Sequence, residues 1–369
     1  MRELSMKPNS RRALKNKIRI SLDRTLLTHL RSLWLPTFKI EGKTAGGESL
    51  TLLYAGTDAE RMYLKSILFP DGAKQQRLGR HFFWQIDPLA TKLGADIQVS
   101  VATYITRFLF PSEQHFYIPT WLECEASIEK TSVTIGTTKS RRRQIKQLLK
   151  HNMHYSVTRD LDDLMHFYER MYKPLISQSH GGNALMMKAD HMLERVTNGE
   201  GDLVLIHQGD DTIAGSLIVY DKGQPRLFSE GILDADKRYM RQGVGSAIYL
   251  FSFQYLIEKG FSRVNLGRCR AFVNDGVFYF KKRFGLEIIG ELQKGMLLKN
   301  VSNSPASIKI LSSNPFVYLK GGKRFIAHFL RKNIDSNSDA TPDSENDLDL
   351  SVLGVEDVVA ITPANDRVI

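Results

Sequence analysis

The sequence predicts an α/β fold of the α+β kind, a mixed and mostly antiparallel sheet flanked by helices. Three observations carry that expectation. Strand-like runs at 212–220 and 226–232 are joined by Asp221-Lys222-Gly223-Gln224-Pro225, a hairpin-type connection. A glycine turn, Arg241-Gln242-Gly243-Val244-Gly245-Ser246-Ala247, comes next, and an apolar run at 248–257 follows it, closed by Glu258-Lys259-Gly260. Such a turn between strand and helix leaves backbone N–H groups uncovered at the positive end of a helix, which suits a pyrophosphate.

The elements read in order as follows. Residues 1–135 hold strand-like runs at 37–40, 50–54, 81–86, 97–101 and 115–118, with a helical stretch at 59–68. Gly42-Lys43-Thr44 is not a phosphate loop, because the first glycine that such a loop needs is Thr37 here. A basic helix starts near Ser140 and carries Arg141, Arg142, Arg143, Lys146 and Lys150. Leu161, Leu164, Met165, Tyr168 and Tyr172 recur at helical spacing, and Pro174 marks a break. A strand at 203–207 precedes the two named above. Beyond the glycine turn come a strand at 263–266 and a helix within 275–284 that Asn274 is placed to cap.

Composition bounds the function. The chain has 369 residues, 42% of them hydrophobic, enough for a sizeable core in two domains. No apolar run approaches the roughly 20 residues of a membrane span, and charged residues interrupt any signal-peptide core, so a cytoplasmic protein is expected. Cys124 and Cys269 are too few for a disulfide scaffold and are expected as packed thiols. The net charge is +11, although residues 335–369 hold nine acids against the single base Arg367. The rest of the chain is therefore more basic than the whole, which suits phosphates, nucleic acid such as tRNA, or peripheral contact with an anionic membrane. The acidic stretch is polar enough to predict disorder, and its apolar end is expected to fray or to dock on the body or on a protein partner.

With these residues in view the chain resembles the GNAT acyltransferase superfamily. Gln242-Gly243-Val244-Gly245-Ser246-Ala247 is similar to its coenzyme A pyrophosphate loop, except that Met240 stands where a basic residue is usual. Phe280-Lys281-Lys282-Arg283-Phe284-Gly285 resembles the Phe-Lys-x-x-Phe-Gly signature of the Fem-type (FemAB-like) branch, which pairs two GNAT-like lobes. The resemblance implies a degenerate lobe over 1–135, a catalytic lobe over 136–300, an extension over 301–334 and a tail over 335–369. It further implies transfer of an acyl group from acyl-CoA, as co-substrate, to a small-molecule or peptide amine, with no metal. An aminoacyl-tRNA donor and a non-catalytic scaffold are the alternatives.

On this reading Gln242, Gly243, Val244, Gly245 and Ser246 hold the pyrophosphate, and Arg238 and Arg241 add charge-assisted contacts. Glu230 is the candidate base for the amine, the alternative being an exposed strand carboxylate. Lys281 is the candidate cation for an oxyanion or an acceptor phosphate, or else a solvated helix lysine; it occupies the position where many GNAT enzymes place an acidic tyrosine. His180, beside two glycines, is a candidate for the acceptor pocket. Arg141 and Arg143 either face solvent or bind phosphates of the acceptor or of tRNA.

Overall fold

The computed structural model describes residues 33–103, 114–128, 139–180, 186–292, 294–330, 352 and 354–361, with the side chains of 139–141, 179 and 180 left aside. Most of the acidic tail expected to be disordered lies outside the described residues. Along the chain run β1 (Trp34–Lys43), β2 (Ser49–Ala55), α1 (Asp58–Leu68), β3 (Ala73–Phe82), α2 (Phe83–Lys92), β4 (Ile97–Thr103), β5 (Phe116–Pro119) and β6 (Leu122–Ser127). There follow α3 (Lys139–Lys150), β7 (Met153–Thr158), α4 (Leu161–Phe167), α5 (Lys173–His180), α6 (Ala189–Thr197), β8 (Gly201–Gln208), β9 (Asp211–Asp221) and β10 (Gln224–Ile232). Next are α7 (Lys237–Arg241), α8 (Val244–Glu258), β11 (Arg263–Cys269), α9 (Gly276–Lys282), β12 (Leu286–Glu291) and β13 (Lys294–Asn300). The last are α10 (Pro305–Ser312), β14 (Phe316–Lys320), β15 (Lys323–Phe329) and β16 (Asp357–Ile361).

Two compact units form, and neither is one continuous stretch. The first comprises Met1–Leu122, Arg270–Phe278 and Glu291–Ile369; the second comprises Glu123–Cys269 and Tyr279–Gly290. In the first unit the strand order is β16-β15-β14-β5-β13-β4-β2-β1-β3. β13 lies antiparallel to both β4 and β5, so the C-terminal part of the chain completes a sheet that the N-terminal part leaves open. The apolar end of the tail joins the same sheet, because β16 pairs with β15 in parallel.

Two local readings are corrected here. The strand expected at 81–86 ends at Phe82, and a helix starts at Phe83, where the Gln85 side chain accepts from the Phe82 N–H and caps the first turn. Pro174 does not mark a break. It stands second in α5, and a π-turn at Tyr168–Tyr172 runs directly into that helix, its wider turn carrying the helical chain past the proline.

The second unit has strand order β12-β6-β11-β10-β9-β8-β7. Strands β7 to β10 are an antiparallel meander, and β11 lies parallel to β10. A return in parallel requires a crossover, and α8 supplies it. Val244, Ala247, Ile248, Leu250, Phe253 and Leu256 of α8 are all buried, so the helix is apolar on more than one face. Gly231 has no room for a side chain, since a Cβ there would lie 2.7 Å from backbone atoms of Met171 and Tyr172. That close approach holds the π-turn against the end of β10.

The C-terminal end of α8 is tied to the meander by one carboxylate. Asp202, with its side chain 2% exposed, accepts from Tyr220 and Tyr255 (both 2.6 Å), Arg159 (2.6 Å) and Lys259 (2.9 Å). Burial pushes this carboxyl up, but Lys259, Tyr220, Tyr255 and Arg159 together outweigh burial and hold it well below the usual carboxylate range. A group lowered on folding stabilises above its unfolded pKa and loses that contribution as pH falls through the folded one. Asp202→Asn is therefore expected to cost about 2 kcal/mol at neutral pH, read from urea unfolding. The gap to the parent should narrow as pH drops below the ordinary aspartate range.

Candidate functional site

The site grows from the point where β10 leaves β11. The two strands share one residue pair among the described residues, Arg226↔Asn265. Just past it β10 shifts register against β9 between Leu227 and Ser229, a bulge that leaves Phe228 unmatched. From there on the β11-facing edge of β10 holds backbone groups not committed to its neighbour. Gly267, at φ +73°, lies where the strands part. An atom added to it would sit 3.9 Å from both the Leu227 carbonyl oxygen and Nζ of Lys281.

Lys281 thus places its ammonium in the gap. It is 5% exposed and donates to the Arg268 carbonyl oxygen at 2.8 Å. The helix carrying it is held by its neighbours in sequence. Phe280 meets Tyr249 edge-on at 5.0 Å, and Phe284 lies 4.8 Å from Tyr249 and 6.0 Å from Phe253. Gly285, at φ +78°, then takes the left-handed turn that ends the segment. The Phe-Lys-x-x-Phe-Gly run therefore has a physical meaning: two rings dock on α8, and the lysine between them is delivered to the divergent strands.

Glu230 is half-buried on β10, past the bulge. Burial raises its carboxyl above the usual range, while Lys281 and a backbone hydrogen bond pull it down less strongly. The thiols of Cys124 on β6 and Cys269 on β11 are 3.2 Å apart and buried, and no disulfide joins them. Hydrogen bonding to Cys269 is the main influence holding the Cys124 thiol low, against burial.

Beside this gap in the same unit lies a cavity of about 800 Å³ lined by Arg143, Gln144, Gln147, Met240, Arg241, Gly243, Gly245, Ser246, Tyr279, Phe280 and Arg283. Among the described residues three arginines and no carboxylate line it. Gly243 takes φ +90° as it leads into α8, and its carbonyl accepts from the amides of Ser246 (2.9 Å) and Ala247 (3.1 Å). Helix geometry leaves the first-turn amides of Val244 and Gly245 without an intrahelical acceptor. The nearest atoms to a Cβ on Gly245 would be those of the Phe280 ring at 3.9 Å, so the space over these amides is open. Gln144 adds a second sign of a missing ligand. It is 6% exposed and lines the cavity, yet neither its Nε2 nor its Oε1 meets a partner among the described residues. Buried amides are normally bonded, so an orphan at a cationic cavity fits a phosphate-bearing ligand.

The sequence-derived candidates fall into three groups. Gly243, Gly245, Ser246, Arg241 and Arg143 meet at the cavity, so Arg143 lies with the glycine turn and not apart from it. Glu230 and Lys281 meet at the strand gap, and Lys281 is buried, not solvated. Arg238 does neither: its guanidinium closes on Asp236 at 2.6–2.8 Å. Val244 packs inward, and the Gln242 Oε1 is buried without a partner among the described residues. His180 ends α5 and Arg141 lies on α3, and both side chains fall outside the described residues. Asn274 does not cap α9; Asp275 does, accepting from Val277 (3.0 Å) and Phe278 (3.3 Å), while Asn274 donates to the Ser313 carbonyl oxygen. Sequence reasoning missed Arg283, Tyr279 and Gln144. The first two lie within or beside the Phe-Lys-x-x-Phe-Gly run and are four residues apart, a helical spacing that was open to reading.

No protein-family model matches the chain, and no curated protein matches it in sequence. Solved structures are similar to it, among them the following three. FemX is 10% identical over 74% of this chain and 90% of its own, with TM-score 0.37. L-PGS from Bacillus licheniformis is 11% identical over 74% of this chain and 87% of its own, with TM-score 0.33. An aminoglycoside acetyltransferase from an uncultured soil metagenomic sample is 15% identical over 37% of this chain and 89% of its own, with TM-score 0.29. At such values the fold is read from the chain's own topology. The meander, the glycine-turn helix and the parallel strand that parts from its neighbour are the arrangement that the resemblance led one to expect, here in a chain with two mixed sheets. No helix among the described residues is long and apolar enough to cross a membrane.

A raised carboxyl favours the folded state below its unfolded pKa and opposes it as pH rises through the folded one. Glu230→Gln should therefore unfold at a higher denaturant midpoint than the parent at pH 7–8. The difference should vanish in acid, where the parent's carboxyl is also neutral.

Proposed function

We propose that the second unit transfers an acyl group from acyl-coenzyme A to an amine of a small molecule or peptide. The observation that carries this reading is the carboxylate-free cavity, where open helix amides, Arg143, Arg241 and Arg283 converge beside the parted strands. Helix amides and guanidinium groups suit a pyrophosphate and an adenosine phosphate, each as a charge-assisted contact. The same residues fit no neutral ligand as well, since three cations in one cavity repel one another until an anion enters.

Under this proposal the chain's own groups divide the work. The turn and the arginines bind the diphosphate. The free edge of β10 offers backbone N–H groups to the donor carbonyl, and donors aimed at a developing oxyanion are worth about 3 kcal/mol each. Lys281 adds positive charge at the same gap. Glu230, once ionised, accepts the proton of the attacking amine, directly or through a water, and its raised pKa makes it a better base than an ordinary carboxylate.

Titration calorimetry with coenzyme A tests the binding half. Arg143→Ala and Arg283→Ala should each weaken affinity about tenfold, the worth of one charged hydrogen bond. Gly245→Asp, which sets a carboxylate over the open amides, should abolish measurable binding. Unchanged affinity in Gly245→Asp would overturn the assignment of the glycine turn, and retention of charged tRNA with no coenzyme A binding would sink the reading in favour of an aminoacyl ester donor. For turnover, the rate of thiol release should climb with pH through a value above the ordinary glutamate range. Glu230→Gln should remove that climb; full activity in Glu230→Gln, Lys281→Ala would instead mean a non-catalytic scaffold.

A further inference from the structure

We infer that the β3 edge of the first unit is a docking surface for an anionic phospholipid membrane. β3 is the last strand of its sheet, with β1 as its partner. At its end three large aromatic side chains stand in solvent: Trp34 is 49% exposed, Phe82 41% and Trp84 55%. Trp34 and Phe82 are cross-strand partners, and the Phe82 and Trp84 rings stack 4.6 Å apart at 4°. Trp34 lies 6.2 Å from Phe82 at 23°, so the three rings form one continuous platform. Exposing so much aromatic surface in one place opposes the hydrophobic effect unless something covers it.

Charge selects the occupant. Lys74, Arg77 and Arg80 are exposed along β3, and the stretch from residue 73 to residue 86 contains no Asp or Glu. The Arg80 guanidinium lies 5.2 Å over the Trp34 ring and donates to the Trp34 carbonyl oxygen at 3.0 Å. A second copy of the chain would bring the same cations against these and be repelled. A stacked nucleobase would need a free ring face, but Phe82 stacks with both Trp34 and Trp84, Arg80 lies over Trp34, and Phe83 meets Trp84 edge-on at 4.9 Å. Exposed tryptophan and phenylalanine rings beside arginine and lysine fit the headgroup level of a bilayer, where indole prefers to sit and anionic phosphates meet the cations. In the sequence, residues 1–32 carry nine Lys or Arg against Glu3 and Asp23.

The test is flotation of the full chain with vesicles of phosphatidylcholine alone or with roughly one-third phosphatidylglycerol. Only the anionic vesicles should carry the protein, and less of it as salt rises. Tryptophan emission should shift to the blue and be quenched by lipids brominated high in the acyl chain, since two of the chain's 3 tryptophans lie in the patch. Trp34→Ala/Trp84→Ala and Arg77→Glu/Arg80→Glu should each lose at least tenfold in partitioning; all four positions are on the surface, and circular dichroism checks that the variants fold. Vesicle binding that both double variants keep, or no binding of the parent to anionic vesicles, would overturn the inference. Binding to an RNA homopolymer in place of vesicles, lost in the same variants, would overturn it too and give the surface to nucleic acid. None of these outcomes depends on coenzyme A binding by the second unit.

Discussion

The separation of β10 from β11 is the constraint on which the site depends. A parallel neighbour that stayed in register would consume the backbone groups along the edge of β10 and close the space between the strands. Here the pairing ends after Arg226↔Asn265, and three features keep it from resuming. Phe228 bulges out of the β9 ladder, Gly267 turns β11 through a left-handed conformation, and the Lys281 ammonium occupies the opening. A buried ammonium is costly unless it is partnered. The Arg268 carbonyl oxygen supplies a hydrogen bond and Glu230 supplies opposite charge, so the parted strands and the two candidate reacting groups support one another.

The cavity and the gap belong to one device because α8 and α9 form part of both. The first turn of α8 offers amides to the cavity, while Tyr249 and Phe253, further along the helix, receive Phe280 and Phe284 of the segment that delivers Lys281. A change in the aromatic packing would therefore move the ammonium as well as the wall of the cavity. The Asp202 knot anchors the opposite end of the same helix to β8 and β9, which fixes the direction in which its positive end points.

Much of this was legible in the sequence. The hairpin at 221–225, the two glycines before an apolar helix and the Phe-Lys-x-x-Phe-Gly run are local signals, and each has a local structural cause that the fold bears out. What escaped was non-local. Arg143 seemed to belong to a separate basic helix, because nothing in its neighbours says that α3 faces the turn a hundred residues later. Arg238 looked like a phosphate ligand until Asp236, two residues before it, was seen to take its guanidinium. Asn274 and Asp275 are equally good caps on paper, and only the Ser313 carbonyl decides between them. β13 and β14 were unreadable as partners of β4 and β5, since pairing between such distant parts of the chain leaves no periodicity in the sequence.

The electrostatics of the second unit support the proposed ligand class: a positive helix end and three guanidinium groups favour an anion, and the half-buried carboxylate sits on β10 past the point where the strands part. The most direct test is a crystal structure of the protein with coenzyme A. The account predicts pyrophosphate oxygens within hydrogen-bond distance of the Val244 and Gly245 amides, with the thiol end pointing between β10 and β11. Coenzyme A bound elsewhere, or a thiol directed away from the strand gap, would contradict it.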